Sequence, residues 1–304
     1  MKKINISVLV LVIVIIIILI GAYFFTQNSV NPDSVISTDE TLTNATSSDQ
    51  LDGQSIDEGK TIIGGSIEKR DIIAYHYGTG AKELLFIGGI HGGYEWNTTL
   101  VAYELMDYLE ANTNTIPENI KITVIPVLNP DGLNKVVGTT DRFTQANVSA
   151  SRETVIAGRL NANGVDLNRN FDCDWQPSAV WQKTKVSGGS QAFSEPESQA
   201  FKNYTESHQP TAVVVWYSAA GGVFASNCDK EILPATKILA KTYADASGYQ
   251  AYDNFDFYET TGDMVNWLAK KNIPAISVIL STHEDTEWIK NQAGAEALIK
   301  YYAN

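Results

Sequence analysis

From about residue 60 onward, short apolar runs bounded by glycine or proline alternate with helix-length amphipathic stretches, and this alternation restricts the fold more than any other feature of the chain. Residues 83–90, 121–128, 211–217 and 275–280 read as strands buried on both faces, because they are rich in Ile, Val, Leu and Phe without an exposed polar stripe. Residues 61–67 and 71–77 read as a hairpin around Glu68-Lys69-Arg70. Between them lie helical patterns over 96–109, 195–208 (with Ser194 as N-cap), 230–246, 263–271 and 287–302; the first carries Leu100, Val101, Leu105, Tyr108 and Leu109 on one face. Such an order predicts an α/β fold with a mixed, mainly parallel central sheet and helices on both faces. In sheets of this kind ligands bind beyond the carboxyl ends of the strands. The strand at 121–128 ends in Asn129-Pro130-Asp131-Gly132, which reads as a turn, and residues 133–163 read as a long excursion.

The first 59 residues have a different character. Lys2 and Lys3 precede an uncharged, proline-free run over residues 8–25, long enough to cross a hydrocarbon core as a helix, for which about 20 residues suffice. The positive-inside rule places the N-terminus in the cytoplasm and the rest outside. A cleaved secretory signal is the competing reading, but Tyr23-Phe24-Phe25 makes a poor small-residue cleavage site. Residues 1–25 are therefore expected to be a single-pass membrane anchor. Residues 26–59, rich in Ser, Thr, Asn and acidic side chains, are expected to be a flexible tether. Residues 60–304 are expected to form the folded, extracytoplasmic domain. The formal net charge of −13 argues against nucleic acid as a partner. Cys173 and Cys228 are either bridged, as an exported domain allows, or unpaired in the core. Two cysteines are too few for a Cys-based zinc site.

Three polar motifs fall at strand ends. In Gly88-Gly89-Ile90-His91-Gly92-Gly93-Tyr94-Glu95 an imidazole and a carboxylate lie close enough to share one Zn²⁺. Asn129-Pro130-Asp131-Gly132 is the second. In Gly164-Val165-Asp166-Leu167-Asn168-Arg169-Asn170-Phe171, Arg169 can grip a carboxylate through parallel hydrogen bonds and Asn168 can add a neutral donor.

In this order the motifs, with Phe193-Ser194-Glu195-Pro196-Glu197 and with Tyr258 nine residues before Trp267, resemble the zinc metallocarboxypeptidase family, whose familiar members are pancreatic carboxypeptidases A and B. The resemblance covers residues 60–304. It implies Zn²⁺ as cofactor and a peptide with a free C-terminus as partner, hydrolysed at its last bond. It implies His91 and Glu95 as metal ligands, Asn168 and Arg169 as the carboxylate clamp, and Tyr258 as a residue closing over the substrate. It also implies an arginine at the oxyanion, with Arg159 ahead of Arg142 and Arg152. Zinc and a glutamate base activate water in such enzymes.

The chain departs from the family pattern in three places. His91 and Glu95 are four apart rather than three, which a turn absorbs. The third-ligand position, a histidine followed by serine in the family, holds Tyr217 before Ser218; a phenol with a pKa near about 10 is a poor ligand. The general-base position holds Ile279, which accepts no proton. His76, His208 and His283 read as surface residues, and Glu284, Asp285 and Glu287 lie past the strand end. The zinc is thus expected to be weak or absent and hydrolysis impaired or lost. A binding module for peptide C-termini or a surface interaction protein is the alternative. A related zinc deacylase is a third reading, crippled by the same losses. The preferred terminal side chain depends on a pocket floor near Val265 or Asp263.

Overall fold

The apolar runs pair into one eight-stranded sheet in the computed structural model, which describes residues 59–228 and 231–304. The strands are β1 (Lys60–Gly65), β2 (Asp71–Tyr77), β3 (Lys82–Ile87), β4 (Ile120–Ile125), β5 (Ser178–Trp181), β6 (Thr184–Ser187), β7 (Ala212–Ser218), β8 (Gly222–Ala225), β9 (Ala251–Tyr252) and β10 (Ala275–Leu280). The helices are α1 (Trp96–Ala111), α2 (Pro130–Val137), α3 (Arg152–Ala157), α4 (Pro196–His208), α5 (Pro234–Ser247), α6 (Met264–Lys270) and α7 (Trp288–Ala303). The expected anchor, and the expected tether except Gly59, lie outside the described residues. Among those described, no helix is long and apolar enough to cross a membrane.

The sheet order is β1-β2-β4-β3-β7-β10-β8-β9, with β5 and β6 a separate hairpin. Its centre, β4-β3-β7-β10, is parallel, and β1, β2 and β8 join antiparallel. Period-2 alternation sends the central strands' side chains to two cores. Leu84, Phe86, Val214, Trp216, Ile276 and Val278 pack with α1, α5 and α7. Leu85, Ile87, Val213, Val215, Tyr217 and Ile279 pack with α4 and α6. Hence a residue's parity on β7 or β10 decides which layer it meets. Tyr217 and Ile279 share the second face and are register partners across the β7–β10 pair.

Locally the chain departs from its sequence pattern in a few places. Asn129-Pro130-Asp131-Gly132 is the start of α2 rather than a free turn: the Asn129 side chain accepts from Gly132 N at 2.9 Å and Pro130 takes the first helical turn. Asn-Pro signals both structures, because proline's fixed φ and an Asx cap suit either. Ser194 does not cap α4. Glu195 stands at the cap position, and Ser194 Oγ donates to Glu195 Oε1 at 2.7 Å instead. The excursion over 133–163 contains the rest of α2 and α3. The β5–β6 hairpin, β8 and β9 carry no sequence signal long enough to read.

Candidate functional site

Beyond the carboxyl ends of β3, β7 and β10 a cleft of about 920 Å³ opens, and its lining includes His91, Glu95, Arg159, Asn168, Arg169, Tyr217, Tyr258 and Ile279. Residues from segments almost two hundred positions apart in the chain are thereby brought to one place.

His91 follows the glycine-rich end of β3. Gly92 adopts φ +45°, and a Cβ there would meet Gly158 O at 2.7 Å, so the turn requires glycine. His91 Nδ1 stands 2.9 Å from Glu95 Oε1, and both side chains are almost wholly buried. The pair is not aligned as a hydrogen bond: both His91 nitrogens and Glu95 Oε2 lack one. His91 Nε2 lies 3.4 Å from Asp166 Oδ1. A carboxylate behind the far ring nitrogen orients an imidazole whose near nitrogen faces a metal.

Asp166 is fully buried and takes the Arg159 guanidinium through Nε and Nη2, each at 2.9 Å. Burial works against its charge, but the Arg159 cation and His91 outweigh that and hold its carboxyl far below the usual carboxylate range. Arg159 also reaches Glu95 Oε1 at 3.5 Å and lies 4.4 Å over the Trp181 ring. Of the three candidate arginines only Arg159 lines the cleft. Arg142 pairs with Asp107 on the surface, and Arg152 is exposed on α3.

Asn168 and Arg169 sit on the turn before Phe171, which is buried against Phe193, Phe201 and Trp267. Removing such a ring typically costs about 3–5 kcal/mol, so the turn rests on a rigid floor. Gly262 (φ +63°) allows the approach of the next segment, since a Cβ there would lie 2.3 Å from Arg169 O. Arg169 is 1 % exposed. Its Nη1 donates to Asn168 O at 2.6 Å, its Nη2 to Val180 O at 3.4 Å, and its Nε has no partner. Neither carbonyl is a counter-ion, and the charges of Asp166 and Asp263 act on the guanidinium without an ion pair among the described residues, so its open donor suits an anion. Tyr258 is near, its ring centroid 5.9 Å from Arg169 Cζ. Asp263 caps α6 and accepts from Asn168 Nδ2 at 2.8 Å; burial pushes its carboxyl up despite the bonds from Asn266 N and the Arg169 charge. Asp263 and Val265 both line the cleft.

Tyr217 is buried, its ring 5.6 Å from that of His91. Burial, and then the charges of Asp263 and Glu95, push its phenol well above its ordinary value. Its hydroxyl donates to Asn168 Oδ1 at 3.3 Å rather than facing the His91–Glu95 pair. Ile279 presents an apolar side chain beside it. Among the remaining histidines, His76 bonds Thr61 and Thr123 in the sheet and His208 stacks on Tyr204. His283 is not the surface residue its sequence context suggests. It is half-buried, with Nδ1 2.9 Å from Ser218 Oγ and its ring against Tyr94, and burial lowers its pKa. Glu284, Asp285 and Glu287 do not line the cleft. Glu287 is engaged by Tyr249, Ser281 and Lys290.

His91 and Glu95 fit as two zinc ligands, and Asp166 fits behind the imidazole. A protonated phenol turned toward Asn168 does not supply the third. Among the described residues the one group of three ligating side chains is Cys173, Asp174 and Cys228, and those cysteines are joined in a disulfide with Cα atoms 5.9 Å apart. The residues present therefore do not complete a three-ligand zinc site. The disulfide instead ties the segment after Phe171 to that after β8, both of which border the cleft through Asp174 and Asn227.

Asp166, Tyr94 and Trp181 also belong to the site, beyond the residues that the motifs single out. Asp166 stands inside the Gly164–Phe171 motif, two residues before Asn168. Trp181 lies on a strand too short to show periodicity.

The family model for zinc carboxypeptidases matches residues 58–296. A γ-D-glutamyl-L-diamino acid endopeptidase of Lysinibacillus sphaericus is 25 % identical over 65 % of this chain and 54 % of its own length. Carboxypeptidase Z of Gallus gallus is 27 % identical over 60 % of this chain and 32 % of its own. The chain thus spans about half or less of the length of these relatives. Two solved structures share the fold. Murein-tripeptide amidase of Escherichia coli O157 has a TM-score of 0.56 and 21 % identity, covering 81 % of this chain and 93 % of that one. Bovine thrombin-activatable fibrinolysis inhibitor has a TM-score of 0.60 and 16 % identity, covering 80 % and 88 %.

Proposed function

Because the chain belongs to the zinc carboxypeptidase family, we propose that it is a membrane-anchored, extracytoplasmic protein that holds peptide C-termini in the cleft and whose hydrolysis is impaired or lost. One observation carries this reading. The buried Arg169, with Nε left open, and its neighbour Asn168 remain, while the third-ligand and base positions are a phenol and an isoleucine. In this reading Asn168 and Arg169 bind the terminal carboxylate, Tyr258 covers it and Arg159 faces the last carbonyl. His91 and Glu95 would be the two residues to hold a zinc ion, which would supply Lewis-acid chemistry there. Loss of a general base alone costs about 10²–10⁴ in rate. The anchoring rests on Lys2, Lys3 and the apolar run over residues 8–25.

Two of the similar proteins are named for γ-D-glutamyl-diamino acid and murein-tripeptide bonds. That favours cell-wall peptides as the ligand class for an exported domain. The test is zinc content and peptide hydrolysis of the full-length chain, before and after Tyr217→His with Ile279→Glu. Stoichiometric zinc and ready turnover in the unmodified protein would overturn the impaired reading. Activity gained only with both reversals supports it.

A further inference from the structure

Tyr217 and Ile279 lie side by side on β7 and β10 and face the same layer, so their side chains share one wall of the cleft. The isoleucine only fills space. The phenol does more, because its hydroxyl joins the network around Asn168. Asn168 Oδ1 accepts from Tyr217 Oη at 3.3 Å and from Met264 N at 3.0 Å, and Asn168 Nδ2 donates to Asp263 Oδ2 at 2.8 Å. An amide oxygen has two lone pairs and the amide nitrogen two N–H donors. Both lone pairs are thereby taken by the protein, and one N–H remains for the cleft. The backbone carbonyl of the same residue holds Arg169 Nη1. Asn168 thus fixes the guanidinium, while its own side chain is fixed from three sides, one of them the tyrosine.

We propose that Tyr217 is a positioning residue of the carboxylate clamp, its hydroxyl holding the Asn168 amide in the orientation that, together with Arg169, receives a terminal carboxylate. The inference rests on the reading of the cleft as a site for peptide C-termini. It gives the side chain at the third-ligand position a use of its own. Replacing it by histidine removes one of the two donors to Asn168 Oδ1 at the same time as it restores an imidazole.

The test uses the full-length chain in detergent and the set of acetyl-Ala-Ala-X tripeptides, each as free acid and as C-terminal amide, with binding measured by calorimetry. Tyr217→Phe removes the hydroxyl and keeps the ring against His91. The expected result is a weakening of the free acids by about three- to tenfold, the scale of one hydrogen bond, with no change for the amides. That loss is expected to vanish in an Asn168→Ala background, because the two groups act as one unit. Equal weakening of acids and amides, or no change in either, overturns the proposal and leaves the phenol a space-filler. Arg169→Ala separates the two ideas. If it abolishes the preference for acids while Tyr217→Phe does not touch it, only the positioning role fails. If Arg169→Ala leaves the preference intact, or the unmodified chain shows none, the C-terminus reading fails and the proposal with it.

Discussion

The two halves of the cleft differ in how completely their polar atoms are used. On the Asn168–Arg169 side, the Asn168 amide oxygen has two donors and both Asp263 oxygens are engaged. An aromatic cluster around Phe171 supports the turn. On the His91–Glu95 side, both imidazole nitrogens and Glu95 Oε2 are buried without a hydrogen bond. The side chains beside them, Tyr217 and Ile279, offer neither ligand nor base. A buried polar atom left without a partner costs about 1–3 kcal/mol. Arg169 Nε is likewise without a partner on the clamp side, so the halves are told apart less by open atoms than by the groups opposite them: the Asn168 network is kept, while a phenol and an isoleucine stand where a ligand and a base would be needed. The halves meet at Asp166, which lies against His91 and accepts from Asn168 N, and at Arg159, which spans Asp166 and Glu95.

The largest expected effect comes from rebuilding the weaker half. Tyr217→His with Ile279→Glu should raise peptide hydrolysis by about 10²-fold or more, the worth of a general base. Each single change should give far less, because ligand and base act as a unit; kcat/KM for the two single variants and the pair checks this, and additive gains would erase the contrast between halves. Next in size is Asp166→Asn, which removes the anion that compensates buried Arg159. A cost of about 3–5 kcal/mol is expected from breaking a buried pair, read as a fall in thermal stability, and a change of only a few tenths would mean that the halves are not joined there. Breaking the Cys173–Cys228 bridge by Cys→Ser at both positions should cost about 2–4 kcal/mol. It should also loosen the clamp side before the His91 side, since Asp174 and Asn227 border the cleft near it; amide exchange around Phe171 measures this.

The smallest effect is a pH dependence. The folded-state pKa of Asp263 is raised by burial, so the unfolded chain gives up this proton more readily. Wild-type stability therefore falls as pH rises from the ordinary carboxylate value, near about 4, through the raised folded value. Asp263→Asn carries no such term and can still cap α6. The difference in melting temperature, variant minus wild type, should grow as pH rises from the ordinary carboxylate value toward neutrality. A flat difference would show that the Asp263 charge costs the clamp nothing.

The central strands and most helices were legible because burial on two faces writes long apolar runs, and because the 96–109, 263–271 and 287–302 patterns repeat at helical spacing. Their observed counterparts, α1, α6 and α7, differ by at most two residues at either end. The β5–β6 hairpin was not legible: its four-residue strands are too short for a period to appear, and it supplies Trp181 beside Arg159. Asn129 misled for a local reason, since an asparagine before proline starts a turn and a helix with the same chemistry. His283 misled for a non-local one, as its burial depends on Tyr94 and Ser218, far away in the chain.

The order of the motifs, the tyrosine and isoleucine at two telling positions, and the alternation that makes an α/β sheet were all determined by the sequence alone. They are matters of residue identity and of short-range period. Which of three arginines enters the cleft, that Cys173 meets Cys228, that Asp166 stands behind His91, and that the Tyr217 hydroxyl turns to Asn168 were decided only by the tertiary structure. Each is a contact between segments whose separation is set by strand register and loop path, and local periodicity carries no record of either.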